Sequence, residues 1–251
     1  MKLTSNCYAL TGLYFFPPWN VNAGFIIGNN KTLIIDSGSN YISAQTIFGY
    51  ANIAKPDNEI LLINTEKHLD HIGGNGYFSE KGIKIYGHYL INRNQNELVS
   101  ILTNINETIT ENIRKNNNEA FIAFKNTKIV NPDNKFNEEF EIDLGGFEIQ
   151  ILLTPGHTKT NISAYNKNDK VLYCGDCVLP IFIPNLEDGN KSEWKTWLES
   201  LEKIKSLDIE ILVPGHGNVI IGKKEIYKEI GRIKDIICNA IKNDMTPAIM
   251  A

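Results

Sequence analysis

Four of the chain's five histidines, His68, His71, His157 and His216, sit in polar or glycine-rich breaks that follow apolar runs of strand length. Asp70 and Asp176 hold equivalent places. Imidazole and carboxylate groups carried on turns at strand ends suit a borderline divalent cation such as zinc. A lone histidine is more often a surface residue or a hydrogen-bonded core residue, and His88, outside every such break, is read that way. The four cysteines are Cys7, Cys174, Cys177 and Cys238. Only Cys174 and Cys177 form a C-x-x-C, and a structural zinc site of that type wants a second pair. The cysteines are therefore read as mostly buried small residues.

These residues need elements to position them. Residues 25–28 and 32–36 flank the turn-forming Asn29-Asn30 and predict a hairpin that ends on Asp36. A helix is expected over 43–54, ended by Pro56-Asp57-Asn58. Ile60-Leu61-Leu62-Ile63 is a continuous apolar run, which predicts a strand buried on both faces. The break carrying His68 and His71 follows at once, where α/β proteins place their chemistry. Residues 83–86 read as a short strand. Leu98, Leu102, Ile105, Ile109 and Ile113 recur at helical spacing and predict one or two helices over 94–124.

From Phe140 the pattern becomes strand-rich again. Residues 147–153 run into Thr154-Pro155-Gly156-His157. Residues 161–165 and 170–173 read as paired strands, the second ending on Gly175-Asp176. Asn161 is given no role. Trp194, Trp197, Leu198, Leu201 and Ile204 form one stripe of an amphipathic helix over 191–205, with Asn190 placed to cap it. The two tryptophans are read as core packing rather than substrate contacts. A strand over 209–213 runs into Pro214-Gly215-His216-Gly217, and a last helix covers about 223–242. The pattern is two halves, each strands first and a helix last. No low-complexity linker divides them, so residues 1–251 are read as a single domain.

Taken in order, Glu66-x-His68-x-Asp70-His71, Pro155-Gly156-His157-Thr158, Gly175-Asp176 and Pro214-Gly215-His216-Gly217 resemble the motif series of the metallo-β-lactamase superfamily. The signature of that family is H-x-H-x-D-H after a buried strand. Ile35-Asp36-Ser37-Gly38 is similar to a further family feature, an aspartate that supports the metal loop from behind. The resemblance spans residues 36–216. It implies an α/β fold, a four-layer αββα sandwich of two mixed β-sheets packed face to face with helices outside. It implies a dinuclear site in which Glu66, His68 and His157 take one ion, Asp70, His71 and His216 take the other, and Asp176 bridges them. A hydroxide between the ions would be the nucleophile, since bound water can reach a pKa near ~7. The ions would also polarise a carbonyl and stabilise the developing oxyanion. Asp70 would orient the nucleophile or relay a proton.

Glu66 is the departure, because it stands where the family usually has its first histidine. Glu66, Asp70 and Asp176 give three negative ligands instead of two. The cofactors implied are two divalent metal ions, zinc first, with manganese or iron admitted by Glu66. In the plainer alternative Glu66 makes no metal bond and leaves the first site weak or empty.

Composition narrows the function. Hydrophobic residues make up 42% and charged residues 22%, ordinary for a soluble globular protein. A net charge of −4 argues against nucleic acid as the main partner. No stretch approaches the ~18 apolar residues of a membrane span. The expectation is a cytoplasmic protein, or a periplasmic or secreted one if a signal peptide has been removed. The expected partner is a small-molecule substrate with a hydrophobic part, with no nucleic acid and no membrane, and a homodimer is left open. The resemblance implies a glyoxalase II-, lactonase- or β-lactamase-like metallo-hydrolase of an ester, thioester, lactone or amide. Dizinc β-lactamases generally lack the bridging aspartate, nuclease members carry an extra domain, and flavodiiron members place glutamate at the second histidine. A β-lactamase-like antibiotic hydrolase, a diiron redox or oxygen-handling protein, and a binding module without turnover are the rival readings. The segment 94–124 and the loop 179–190, with Pro180, Ile181, Phe182, Ile183 and Pro184, are expected to overhang the site and supply an apolar wall. Glu66→His should raise zinc retention and move the pH–rate profile to lower pH; unchanged metal content and an unchanged profile would remove the idea that Glu66 tunes the ions.

Overall fold

The computed structural model describes residues 1–13, 20–100, 124–180, 184, 186 and 189–243. Apolar patterning builds two six-stranded sheets. The first holds, in spatial order, β1 (Cys7–Leu13), β2 (Val21–Ile27), β3 (Lys31–Ile35), β4 (Glu59–Ile63), β5 (Ile85–His88) and β6 (Asn134–Phe136). Its first three strands are antiparallel, and β3 to β6 are parallel. The second sheet runs β7 (Phe140–Asp143), β8 (Glu148–Leu153), β9 (Ile162–Asn166), β10 (Val171–Gly175), β11 (Ile211–Pro214) and β12 (Ile220–Ile221). Only the β10–β11 pair is parallel there.

The strand period of two sorts side chains between layers. In β4, Leu61 and Ile63 face the second sheet and join Ile26, Leu33, Ile35, Ile149, Ile151, Val171 and Val213 in the central core. Leu62 faces the other way and packs with Phe25, Ile34 and Ile85 under helix α1 (Tyr41–Ala54), which contributes Ala44, Ile47 and Ala51. A strand covered on both faces reads as an unbroken apolar run, and Ile60-Leu61-Leu62-Ile63 is that run. On the far side, α4 (Lys191–Ser206) and α5 (Lys223–Asn243) cover the second sheet. Trp194, Trp197, Leu201, Ile230, Ile233 and Ile237 pack against Leu172 and Leu212. The layers are therefore helix, sheet, sheet, helix, the αββα sandwich.

The site is positioned by strand direction. Parallel β3 and β4 are in register from Lys31↔Glu59 to Ile35↔Ile63, so Asp36 and the Glu66 break leave the sheet at one edge. In the second sheet β8 is antiparallel to β9 and β9 to β10, so β8, β10 and β11 share a direction. Their ends carry His157, Asp176 and His216. Two short helices, α2 (Leu69–Ile72) and α3 (Asn75–Glu80), fold the first motif back over that edge.

The expected order of strands first and helix last needs correction in the first half. β6 returns to the first sheet after the 94–124 segment and pairs parallel with β5. A parallel neighbour requires a long connection, and residues 89–133 separate the two strands in the chain. Residues 95–100 are helical and Leu98 is buried; Leu102, Ile105, Ile109 and Ile113 lie outside the described residues. So do Ile181, Phe182 and Ile183 of the expected apolar wall, while Leu179 and Leu186 are buried, Leu186 within the α4–α5 core. No helix among the described residues is long and apolar enough to cross a membrane.

The expected cap of α4 is present as a capping box. Asn190 accepts from the backbone N–H groups of Ser192 and Glu193, and Glu193 accepts from Asn190. Asn190→Ala should cost about 1 kcal/mol in chemical denaturation; an unchanged midpoint would show that the cap carries no stability.

Candidate metal centre

Each functional side chain is held from behind. Asp36 has φ +62, a left-handed conformation uncommon for a residue with a Cβ. Its carboxylate ties that turn down: Oδ1 accepts from Thr65 N at 2.7 Å, and Oδ2 accepts from Thr65 Oγ1 at 2.7 Å and faces His71 Nδ1 at 2.9 Å. An ionised carboxylate only accepts, so His71 donates from Nδ1 and turns the Nε2 lone pair inward. His216 is set the same way, with Nδ1 donating to Asn20 O at 2.7 Å. Asn22 braces that turn, its Nδ2 donating to Pro214 O and Gly217 O.

Asn161, given no role on sequence grounds, is part of this framework. Its Oδ1 accepts from Asp176 N at 3.2 Å, and its Nδ2 donates to Thr154 Oγ1 and to Cys174 O. It thereby joins the His157 turn to the Asp176 turn. The one signal for it in the sequence is an amide placed between the His157 turn and the start of the next strand. Trp197 is fully buried, as expected of core packing, but its ring also meets the His157 imidazole edge-on at 5.6 Å. A Cβ on Gly156 would lie 2.3 Å from Trp197 Cβ, so only glycine lets the turn rest on the indole. A Cβ on Gly215 would lie 2.0 Å from Asp176 Oδ1. These approaches give the motif glycines their physical reason.

All seven sequence-derived residues come together. Glu66, His68, His157 and Asp176 form one group of donor atoms within 4.8 Å of one another, and Asp70, His71 and His216 form a second. His68 Nδ1 lies 3.2 Å from Glu66 Oε2 and 3.3 Å from His157 Nε2. His157 Nε2 lies 3.5 Å from Asp176 Oδ2. In the second group His216 Nε2 is 3.0 Å from Asp70 Oδ2, and His71 Nε2 is 3.9 Å from it. Asp176 faces both groups, with Oδ2 3.4 Å from His216 Nε2 and Oδ1 3.4 Å from His71 Nε2. With metal–ligand bonds of about 2.0–2.1 Å, tetrahedral geometry puts ligand atoms about 3.3–3.4 Å apart. The observed spacings cluster around that edge. Glu66 Oε1 and Oε2, His71 Nε2 and Asp176 Oδ1 are buried without a hydrogen-bond partner. Buried acceptors turned toward one volume fit a cation there, because unsatisfied they are costly. His88 lies apart from both groups, its Nδ1 accepting from Leu90 N.

A model of the metallo-beta-lactamase superfamily matches residues 16–216. The chain belongs to that superfamily. Among its curated relatives, acyl-coenzyme A thioesterase MBLAC2 of Gallus gallus is 24% identical over 223 residues, 82% of this chain and 76% of that protein. Hydroxyacylglutathione hydrolase GloC of Haemophilus influenzae is 29% identical over 162 residues, 63% of this chain and 68% of that protein. Other relatives are matched over as little as 27% of their length. A crystal structure of a metallo-β-lactamase family protein from Thermus thermophilus has a TM-score of 0.69, with 20% identity over 96% of this chain and 82% of that one, and shares the fold.

The electrostatics of this metallo-β-lactamase-fold centre follow from its burial. Burial opposes ionisation of Asp176, yet His216 and His71 outweigh it and hold the carboxyl well below its ordinary range. Burial likewise opposes Asp70, and His71 and His216 lower it. Glu66 is lowered by His68 and His157 against burial. The same contacts push His71 well above its usual value against burial, through Asp176, Asp36 and Asp70. His216 is raised by Asp176 and Asp70 against burial. Burial keeps His157 low. Cys174 and Cys177 are pushed up by burial and stay thiols, while Cys238 is exposed.

Protons on His71 and His216 therefore balance the carboxylates when no other cation does so, and an incoming metal ion must displace them. Metal uptake near neutral pH should release protons, and apparent affinity should weaken as pH falls. Calorimetric titration in buffers of different ionisation enthalpy reads this directly; uptake with no net proton release would contradict it.

Proposed function

We propose that this protein is a metal-dependent hydrolase of small acyl substrates, with thioesters the foremost class and esters, lactones and amides the wider one. The observation that carries the reading is Asp176, whose two oxygens face both donor groups, so that two cations would share one centre. Glu66, His68 and His157 would hold one, Asp70, His71 and His216 the other, with Asp176 between. Divalent cations bound there supply Lewis acidity for the scissile carbonyl and acidify water enough for attack at neutral pH.

The chain's own residues do the rest. Asp36 and the Asn20 carbonyl fix two imidazoles so that their inner nitrogens cannot swing away. Asn161 holds the Asp176 backbone in place. Of the three carboxylates, Asp70 is the most accessible, with a side chain 10% exposed against 6% for Asp176 and 0% for Glu66. It is the group placed to accept a hydrogen bond from the attacking water and orient it. Two relatives named for S-acyl compounds, acyl-coenzyme A and hydroxyacylglutathione, support the thioester class.

The test is a panel of acyl-coenzyme A and S-acylglutathione thioesters, nitrophenyl esters, lactones and a β-lactam, run on metal-loaded protein. Thioester hydrolysis should be lost on chelation and restored by added metal. Asp176→Ala should lower kcat/KM by at least about 10–100-fold, the cost of losing even an outer partner of a bound metal. Turnover that survives complete metal removal, or no turnover of any class by the loaded protein, would overturn the reading.

A further inference from the structure

Glu66 differs from an imidazole in more than charge. An imidazole offers one lone pair to a metal and keeps an N–H on its other nitrogen, whereas a carboxylate offers two oxygens that can face different ions. In this structure the two oxygens do face different ways. Oε2 lies 3.2 Å from His68 Nδ1, within the first donor group. Oε1 lies 3.6 Å from His157 Nε2 of the first group and 3.3 Å from His71 Nε2 of the second. Asp176 shows the same pattern, with Oδ2 3.5 Å from His157 Nε2 and Oδ1 3.4 Å from His71 Nε2.

Burial decides between a shared and an unshared role. The Glu66 side chain is 0% exposed, and its oxygens face the imidazoles of the two donor groups with no well-formed hydrogen bond to either. A carboxylate that ligates through one oxygen and is buried needs an N–H or O–H for the other. Asp36, by contrast, has donors on both oxygens and stands behind the centre. Glu66 has no such donor behind it, and its oxygens face the inner nitrogens of His68, His71 and His157, which leaves both for cations.

We propose that Glu66 is a second bridging carboxylate, so that two cations share both Glu66 and Asp176 and bind as one coupled pair. Two shared carboxylates and a third from Asp70 make an oxygen-rich set, which favours harder divalent ions, manganese(II) or iron(II), relative to the same set with histidine at position 66. The inference rests on the metal-binding reading of the centre and is independent of which bond is hydrolysed.

The test uses manganese(II) added stepwise to the metal-free full chain, followed by electron paramagnetic resonance and calorimetry. In the parent, the spectrum of an exchange-coupled pair should appear below one equivalent, because filling one side prepares the other. In Glu66→Gln, which keeps size and loses the second anionic oxygen, an uncoupled mononuclear signal should come first. Both ions should weaken by about tenfold or more, since losing an outer partner alone costs about 10–100-fold. Circular dichroism of the metal-free variant checks its fold. Should it fail to fold, Glu66→His serves, with sequential filling and a shift of preference from manganese toward zinc expected. A variant that weakens only one ion and leaves the other at parental affinity places Glu66 on a single ion and overturns the proposal. Coupled filling unchanged in the variant overturns it equally. A parent that binds a Glu66-dependent coupled pair yet hydrolyses no acyl substrate supports the proposal and sinks the hydrolase reading alone.

Discussion

Burying Glu66, Asp70 and Asp176 around one small volume is the constraint on which the rest of the structure depends. Taking a carboxylate out of water costs several kcal/mol even after relaxation, and three together repel one another. Four imidazoles converge on them, but neutral imidazoles offer lone pairs of their own. The cluster is stable only with positive charge at its centre, as protons on His71 and His216 or as metal ions. A site that demands cations in this way is poorly suited to be an incidental surface feature.

Holding mutually repelling groups together requires a stiff frame, and the sandwich supplies it. The turns that carry the donors leave both sheets at one edge, above a core shared by Ile35, Ile63, Ile162 and Val213. Behind them, polar side chains tie turn to turn. Asp36 joins the end of β3 to Thr65 and His71. Asn161 joins the turns after β8 and β10, and Asn22 spans the turn after β11. Backbone packs directly on backbone where Gly73 and Gly74 meet Ser39 and Ser37. Each tie satisfies buried polar atoms while fixing an angle, so positioning and stability come from the same bonds.

What separates Glu66 from its surroundings is the lack of such a tie. Asp36 is a carboxylate of similar burial, but its oxygens are occupied by Thr65 and His71. The chemistry of the two acids therefore differs through hydrogen bonding and through place, Asp36 behind His71 and Glu66 among the inner nitrogens. One is a strut, and the other is left open toward the centre.

The sequence by itself determined much of this. Ile60-Leu61-Leu62-Ile63 declared a strand buried on both faces, and Asn190 declared the start of a helix, because these signals are local. Six of the seven donor residues were legible because histidine and aspartate recur in one kind of break after a strand, and Glu66 through the resemblance of the motif series. Tertiary structure alone decided the rest. The return of β6 to the first sheet depends on a crossover whose pairing has no local signature. The role of Asn161 depends on contacts with Thr154, Cys174 and Asp176, which meet it only after β8, β9 and β10 align. Whether Glu66 faces one donor group or two depends on where His71 and His157 stand, 86 residues apart in the chain and within reach of one carboxylate only in the folded protein. Local composition sets which groups can act, and long-range packing sets which of them meet.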